Sequence, residues 1–325
     1  MPPQTSSEVG TGSGTSTVVH AERQNWAVYS GLVLTMFIWG LAWPVGRLLA
    51  ENLPPISVAA IRYAIVAPVL FGILWMREGS IKIERSWIPT LVIMGILNTT
   101  LYQIFFLYGV KYAAASDDSL VIGIGPVLIV IMASLILKER LTRTKILGFA
   151  SGLAGIITIS ILSPNTQVPN RLLGVTLVFG GATVYALYTI ILRRFIAANR
   201  ENIQGRQQSS LSILSWISLF GWFFLIPFSI LEAPWTYTSW DTNSLLGILY
   251  LAILSTVVGY FLYIEAISRI GAGRSAIFGN LVPVFGVLTS FLLLGENLSS
   301  WTAVSFLLIL AGVLLVNRPV KNSGS

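Results

Sequence analysis

The chain has 325 residues, 54% of them hydrophobic and only 10% charged, where an ordinary soluble domain carries roughly 25% charge; this is the composition of a membrane protein. Its formal net charge of +7 is expected to sit in basic cytoplasmic loops rather than on a nucleic-acid-binding face. Cysteine is absent and the one histidine, His20, lies in a polar stretch, which excludes disulfides, thiolate or zinc sites and serine–histidine chemistry in the spans, so no metal and no cofactor is expected.

Residues 1–25 are rich in Gly, Ser and Thr and read as a disordered cytoplasmic tail. The first apolar stretch is too long for a signal-peptide core and lacks a small-residue cleavage site, so it is expected to remain as a membrane span. A span needs about 20 mostly apolar residues. Ten stretches qualify, at 26–48, 55–76, 87–111, 116–137, 143–162, 172–196, 209–231, 244–267, 274–294 and 300–317. Links as short as Ala114–Asp117 and Gly271–Arg274 force consecutive helices to run antiparallel. The fold class expected is an all-α integral membrane bundle of ten transmembrane helices, and residues 318–325 form a second cytoplasmic tail.

The chain repeats itself. Residues 96–155 align without a gap on 253–312, 157 residues later, with 15 of 60 positions identical. Apolar identities mean little in such a chain, but Pro126 with Pro283, Glu139 with Glu296, and Gly155 with Gly312 coincide at one offset. So long a period fits a duplicated half-molecule, dividing the chain into 26–163 and 172–317. With the N-terminus inside, 16 Lys and Arg residues fall on the cytoplasmic side and three, Arg47, Lys111 and Arg171, on the other, with Arg62 inside a span. This bias predicts cytoplasmic termini in a cell (inner) membrane. Each repeat has an odd number of spans, so the second must be inverted. The loops agree: Lys138-Glu139-Arg140-Leu141 is basic, and its counterpart Gly295-Glu296-Asn297-Leu298 has no cation.

Inverted repeats provide two nearly equivalent packings, each open to one side, around a site at their interface. Pro126 and Pro283 each remove a backbone hydrogen bond near mid-span; they read either as hinges or as static kinks. The candidate substrate-contacting residues are the polar and aromatic groups inside spans: Trp39, Trp43, Arg62, Asn98, Tyr102, Gln103, Tyr185, Tyr188, Tyr260 and Asn280. Aromatic belts and polar helix–helix contacts account for part of such a set. Arg62 is costly in a membrane, at roughly 2.5–3.5 kcal/mol on insertion scales, and either serves the cavity or snorkels to the surface. Glu265 stands one turn before Arg269, a spacing that favours an ion pair over a proton relay. Asp117 and Asp118 project about 100° apart and are expected to cap the N-terminus of span 4.

The absences discriminate too. Span 1 holds no acidic residue, against proton exchange through a span-1 glutamate. A phosphorylated substrate would lack its usual several cations, and no Walker loop is present to use ATP. Ser151 has no membrane histidine to activate it, which disfavours an intramembrane enzyme. A passive channel is a further alternative.

Trp39-Gly40-Leu41-Ala42-Trp43 with Pro44 and Arg47, Ile61-Arg62-Tyr63, Pro126 with Lys138-Glu139-Arg140-Leu141, Gly271-Ala272-Gly273-Arg274-Ser275, and Pro283 with Leu294-Gly295-Glu296 together resemble the EamA-type members of the drug/metabolite transporter superfamily. The resemblance covers residues 26–317. It implies two inverted five-helix units, with spans 1–4 and 6–9 around a cavity and spans 5 and 10 peripheral. It also implies export of amino acids or other small metabolites, and loop-holding roles for Glu139 and Glu296. The expectation is therefore a secondary transporter, not an enzyme, for a small, neutral or zwitterionic, amino-acid-like solute. Its partners are that substrate and the lipid bilayer, with no nucleic acid.

Overall fold

Long apolar runs in lipid must satisfy their backbone groups internally, and the chain does so with helices. A computed structural model describes residues 14–136, 142–162, 168–199 and 209–317, and among them no strand occurs. The helices are α1 (Gly14–Asn52), α2 (Pro55–Glu78), α3 (Arg85–Tyr112), α4 (Ala115–Ile136), α5 (Arg143–Leu162), α6 (Arg171–Ala198), α7 (Ser210–Leu231), α8 (Thr242–Ile270), α9 (Ala272–Phe278), α10 (Leu281–Leu294) and α11 (Ser300–Val316). Eight, α1 to α8, are long and apolar enough to cross a membrane, while α10 and α11 are shorter apolar helices. Helix α1 begins at Gly14, inside the stretch expected to be a tail, because neither glycine nor proline interrupts the chain from Thr15 to Ser30.

The apolar run expected as one span at 274–294 is divided at Gly279 and Asn280 between α9 and α10. Pro283 explains the division, since its ring clashes with the carbonyl four residues earlier and it donates no hydrogen bond. Pro126 acts alike: α4 tightens into a 3-10 turn over Ile122–Ile124, the first residue of which lies four before that proline. Two further irregularities correspond. Ile96–Leu101 in α3 and Tyr250–Val258 in α8 are π-helical, and in the second the Thr256 hydroxyl donates to the Leu251 carbonyl at 2.8 Å.

Helices meet through small residues, which let backbones approach where lipid offers no hydrophobic drive. Where α7 crosses α3, a Cβ on Gly221 would lie 2.3 Å from the Thr99 Cβ. Where α5 crosses α11, the Ser151 hydroxyl donates to the Leu308 carbonyl at 2.7 Å and the Ser305 hydroxyl to the Gly155 carbonyl at 2.9 Å. Ser151, weighed above as a nucleophile, thus holds two helices together.

Carboxylates tie the helix ends. At the C-terminal end of α7, Glu232 accepts from the N–H groups of Ile56 and Ser57 at 3.0 and 2.8 Å, from the Ser57 hydroxyl at 3.0 Å and from the Tyr108 hydroxyl at 2.8 Å. It satisfies donors that the first turn of α2 would leave orphaned. At the opposite end of this antiparallel pair, Glu78 of α2 accepts from the hydroxyl of Ser209, the N-cap of α7. Glu296, in the link between α10 and α11, accepts from the N–H groups of Ala115 and Ser116, each at 2.9 Å, and from Arg47 Nη1 at 2.6 Å.

Glu296 therefore provides the cap of α4 that was expected of Asp117 and Asp118. Those residues are already inside the helix: Asp117 pairs with Arg171 Nε at 2.8 Å, and both oxygens of Asp118 are buried without a hydrogen-bond partner among the described residues. Glu139, with Lys138, Arg140 and Leu141, lies outside the described residues.

Candidate functional site

A cavity of about 130 Å³ lies between α1, α2, α3, α6 and α8, walled by Trp39, Arg62, Tyr63, Asn98, Tyr102, Gln103, Tyr185, Ser255 and Tyr260. That space would hold roughly four waters at about 30 Å³ each. Its walls come from residues 39–103 on one hand and 185–260 on the other, so it falls between the two halves of the chain. The π-helical segments supply Asn98 and Ser255. Such widened turns recur at functional sites because they re-aim side chains and free backbone carbonyls. The carbonyl of Ser255, in the second of these segments, accepts from the Trp39 indole N–H at 2.9 Å. The indole fits because residue 259 is glycine, whose Cβ would meet Trp39 Nε1 at 2.6 Å.

Arg62 is buried, with 7% of its surface exposed, and does not snorkel out. Its Nη1 donates to Gln103 Oε1 at 3.1 Å, and its Nε and Nη2 donate to the Thr256 hydroxyl at 3.3 and 2.8 Å. The guanidinium carbon stands 5.7 Å from the centroid of the Tyr63 ring. Gln103, turned by that bond, donates through Nε2 to the Tyr63 hydroxyl at 3.4 Å. Around this polar group stand two aromatic pairs: the ring of Trp39 lies 5.6 Å from that of Tyr260, and the ring of Tyr102 5.7 Å from that of Tyr185.

Of the residues singled out from the sequence, Trp39, Arg62, Asn98, Tyr102, Gln103, Tyr185 and Tyr260 meet at this cavity. Trp43 does not. Although it shares a helix face with Trp39, it lies about 6 Å further along the axis, where Phe106 fills the space with its ring 4.9 Å away. Tyr188 lies tilted beside Tyr185 with ring centroids 5.7 Å apart but packs into a separate apolar cluster with Trp87, Phe195 and Ile217. Asn280 lies in the turn after α9 and donates to the Ile277 carbonyl at 3.1 Å. Tyr63 and Ser255 join the wall without having been singled out. The signal for Tyr63 was its place next to Arg62, since a cavity that spans more than about 100° of a helix meets both neighbours. Ser255 was marked only by its repeat position opposite Asn98.

Elsewhere, Glu265 pairs with Arg269 Nε at 2.6 Å on an exposed face, and among the described residues no three acidic or histidine side chains gather to hold a metal ion.

The chain is 24% identical to the uncharacterized transporter YetK of Bacillus subtilis (strain 168), over 90% of this chain and 87% of that one. It is 25% identical to the "Probable amino-acid metabolite efflux pump" of Salmonella typhimurium, over 90% and 97%. A solved crystal structure superposes with a TM-score of 0.57 at 20% identity, covering 89% of this chain and 96% of that one, and so shares the fold. The model of the EamA-like transporter family matches twice, over residues 26–161 and 172–318, and the chain belongs to that family.

Proposed function

We propose that the protein is an alternating-access secondary transporter that exports a small, amino-acid-like metabolite across the cell (inner) membrane, through the cavity around Arg62. The observation that carries this reading is the aromatic cavity enclosed between two segments that each match the same family. The ten spans are α1 to α8, then α9 and α10 together, then α11, in two inverted halves.

Reciprocal contacts support the inversion. Ser151 bonds to Leu308, its own counterpart 157 residues later; such a pair lies on a two-fold axis. The neighbouring pairs exchange roles, because Gly148 packs on Gly312 and Gly155 on Ser305, as isologous contacts require. The basic loops then place both termini in the cytoplasm, with Glu296 and Glu232 at the outer end and Glu78 at the inner. Pro126 and Pro283 are the hinges, at points where the helices are already irregular.

An amino-acid-like substrate is favoured by the apolar, aromatic wall with one cation, which suits a solute with an apolar body and a single polar head, and by the name of the Salmonella relative. The test is counterflow in proteoliposomes loaded with unlabelled phenylalanine, with labelled phenylalanine outside. Saturable, transient accumulation is expected, with half-saturation raised several-fold in Tyr102→Ala or Gln103→Ala. A linear, unsaturable flux would refute the carrier in favour of a channel.

A further inference from the structure

We infer that Arg62 is the carboxylate anchor of the cavity, so that the protein selects solutes by a free carboxylate on an apolar or aromatic body and needs no ammonium group in them. The inference rests on the transport reading above and narrows it to a substrate class.

The argument begins with what Arg62 touches. A guanidinium has five N–H donors in a planar fork. Here three are engaged, by the Gln103 amide oxygen and the Thr256 hydroxyl, which leaves two. All of those acceptors are neutral, and among the described residues no carboxylate pairs with Arg62. Among the described residues Arg47, Arg171 and Arg269, by contrast, each meet a carboxylate within 2.8 Å. A buried cation whose neighbours offer only neutral acceptors is expensive to keep. A neutral side chain could tie α2 to α3 and α8 at lower cost, so the charge has another use.

That use is set by the cavity. Arg62 lies on its wall, and the other lining residues are neutral at physiological pH: Trp39, Tyr63, Asn98, Tyr102, Gln103, Tyr185, Ser255 and Tyr260. A cationic solute would therefore be repelled by Arg62 with no lining anion to offset it, whereas a carboxylate would complete the fork in the bidentate geometry that guanidinium favours. The rings give a body to match. Their faces could also receive an ammonium weakly through cation–π attraction, so a zwitterion is tolerated without its amine being required.

The experiment is competition in the phenylalanine counterflow assay by two analogues that each lack one charged group: 3-phenylpropanoate, without the ammonium, and phenethylamine, without the carboxylate. 3-Phenylpropanoate is expected to compete within a few-fold of phenylalanine, and phenethylamine at least about tenfold more weakly, the factor for losing one charge-assisted hydrogen bond. Arg62→Gln should raise half-saturation for phenylalanine by about tenfold or more and abolish the preference between the analogues. Arg62→Lys, which keeps charge without the fork, should fall between. If Arg62→Gln proves poorly folded by size-exclusion chromatography, the wild-type competition decides alone. Equal competition by the two analogues, or stronger competition by phenethylamine, would overturn the anchor and leave transport standing. Uptake of none of the three would overturn the substrate reading and the anchor with it.

Discussion

Replacing Glu296 with glutamine should loosen the end of the bundle that this carboxylate ties. Its side chain, 3% exposed, receives two helix N–H groups and one guanidinium nitrogen at 2.9, 2.9 and 2.6 Å. It links the segment after α10 to the first turn of α4 and to α1, so these elements cannot separate without breaking all three bonds. A charge-assisted hydrogen bond is worth about 1.5–3 kcal/mol and a neutral one about 1 kcal/mol. Glutamine keeps an acceptor but loses the charge, and water would recover part of the loss once the end opens. The net effect is about 2–3 kcal/mol against the closed arrangement, which multiplies the open share roughly 30- to 150-fold. The chain contains no cysteine, so a single introduced thiol reports cleanly. Ser119→Cys is suitable, because Ser119 is fully buried in α4 and a Cβ on Gly286 of α10 would lie 2.4 Å from its own. In detergent, its maleimide labelling should accelerate by that factor in the Glu296→Gln background. A second reporter, Ser215→Cys, buried in α7, should be unchanged. If both rates rise together the protein has unfolded globally, and if neither changes by more than about twofold the carboxylate does not hold this end closed.

Other substitutions test other parts of the reading. Pro126→Ala and Pro283→Ala should each slow counterflow more than they lower folded yield by fluorescence-detected chromatography, because they repair helices at their irregular points; unchanged flux in both would dismiss the hinges. Glu265→Gln should leave the pH dependence of transport intact, since Glu265 is an exposed partner of Arg269, and a lost pH response would make it the proton carrier. Gly221→Ala should cost about 1–3 kcal/mol by overpacking, as its Cβ would lie 2.5 Å from the Gly95 carbonyl oxygen; an unshifted thermal midpoint would show that α3 and α7 part easily.

What could be read from the sequence followed from how strongly each signal is tied to its cause. Membrane helices declare themselves because length and apolarity are imposed by the bilayer, and Pro126 and Pro283 pointed to real irregularities because proline disturbs a helix wherever it occurs. The division after Phe278 was hidden by the same apolar run that marked the span. Within the site, Arg62 and Gln103 stood out because polar groups in lipid need partners. Trp43 and Tyr188 do not line this cavity, since periodicity assigns a face but not how far along it a cavity extends. No proline or other helix-disturbing residue marked the π-helical segments at Ile96–Leu101 and Tyr250–Val258. Nor did the sequence show that α4 would be capped by Glu296 rather than Asp117 or Asp118, because that carboxylate arrives from 180 residues away.

The helix-end carboxylates also tie the two ends of the bundle to different degrees. Glu232 and Glu78 occupy like places, each finishing one helix of an antiparallel pair and reaching the start of its partner. Glu232 receives four hydrogen bonds, two from backbone N–H groups, and is half-buried, whereas the exposed Glu78 receives one, from Ser209. Hydrogen bonds to a carboxylate gain strength where water is excluded, so the two ends of this pair are tied unequally. Glu296 adds a second tie at the Glu232 end. In the alternating-access transporter proposed above, such a difference would weight one access state over the other. In that proposal the carboxylates at the helix ends set the balance, and the residues around Arg62 choose the solute. Substitutions at Glu232 or Glu296 should accordingly move the access equilibrium while leaving discrimination between solutes unchanged.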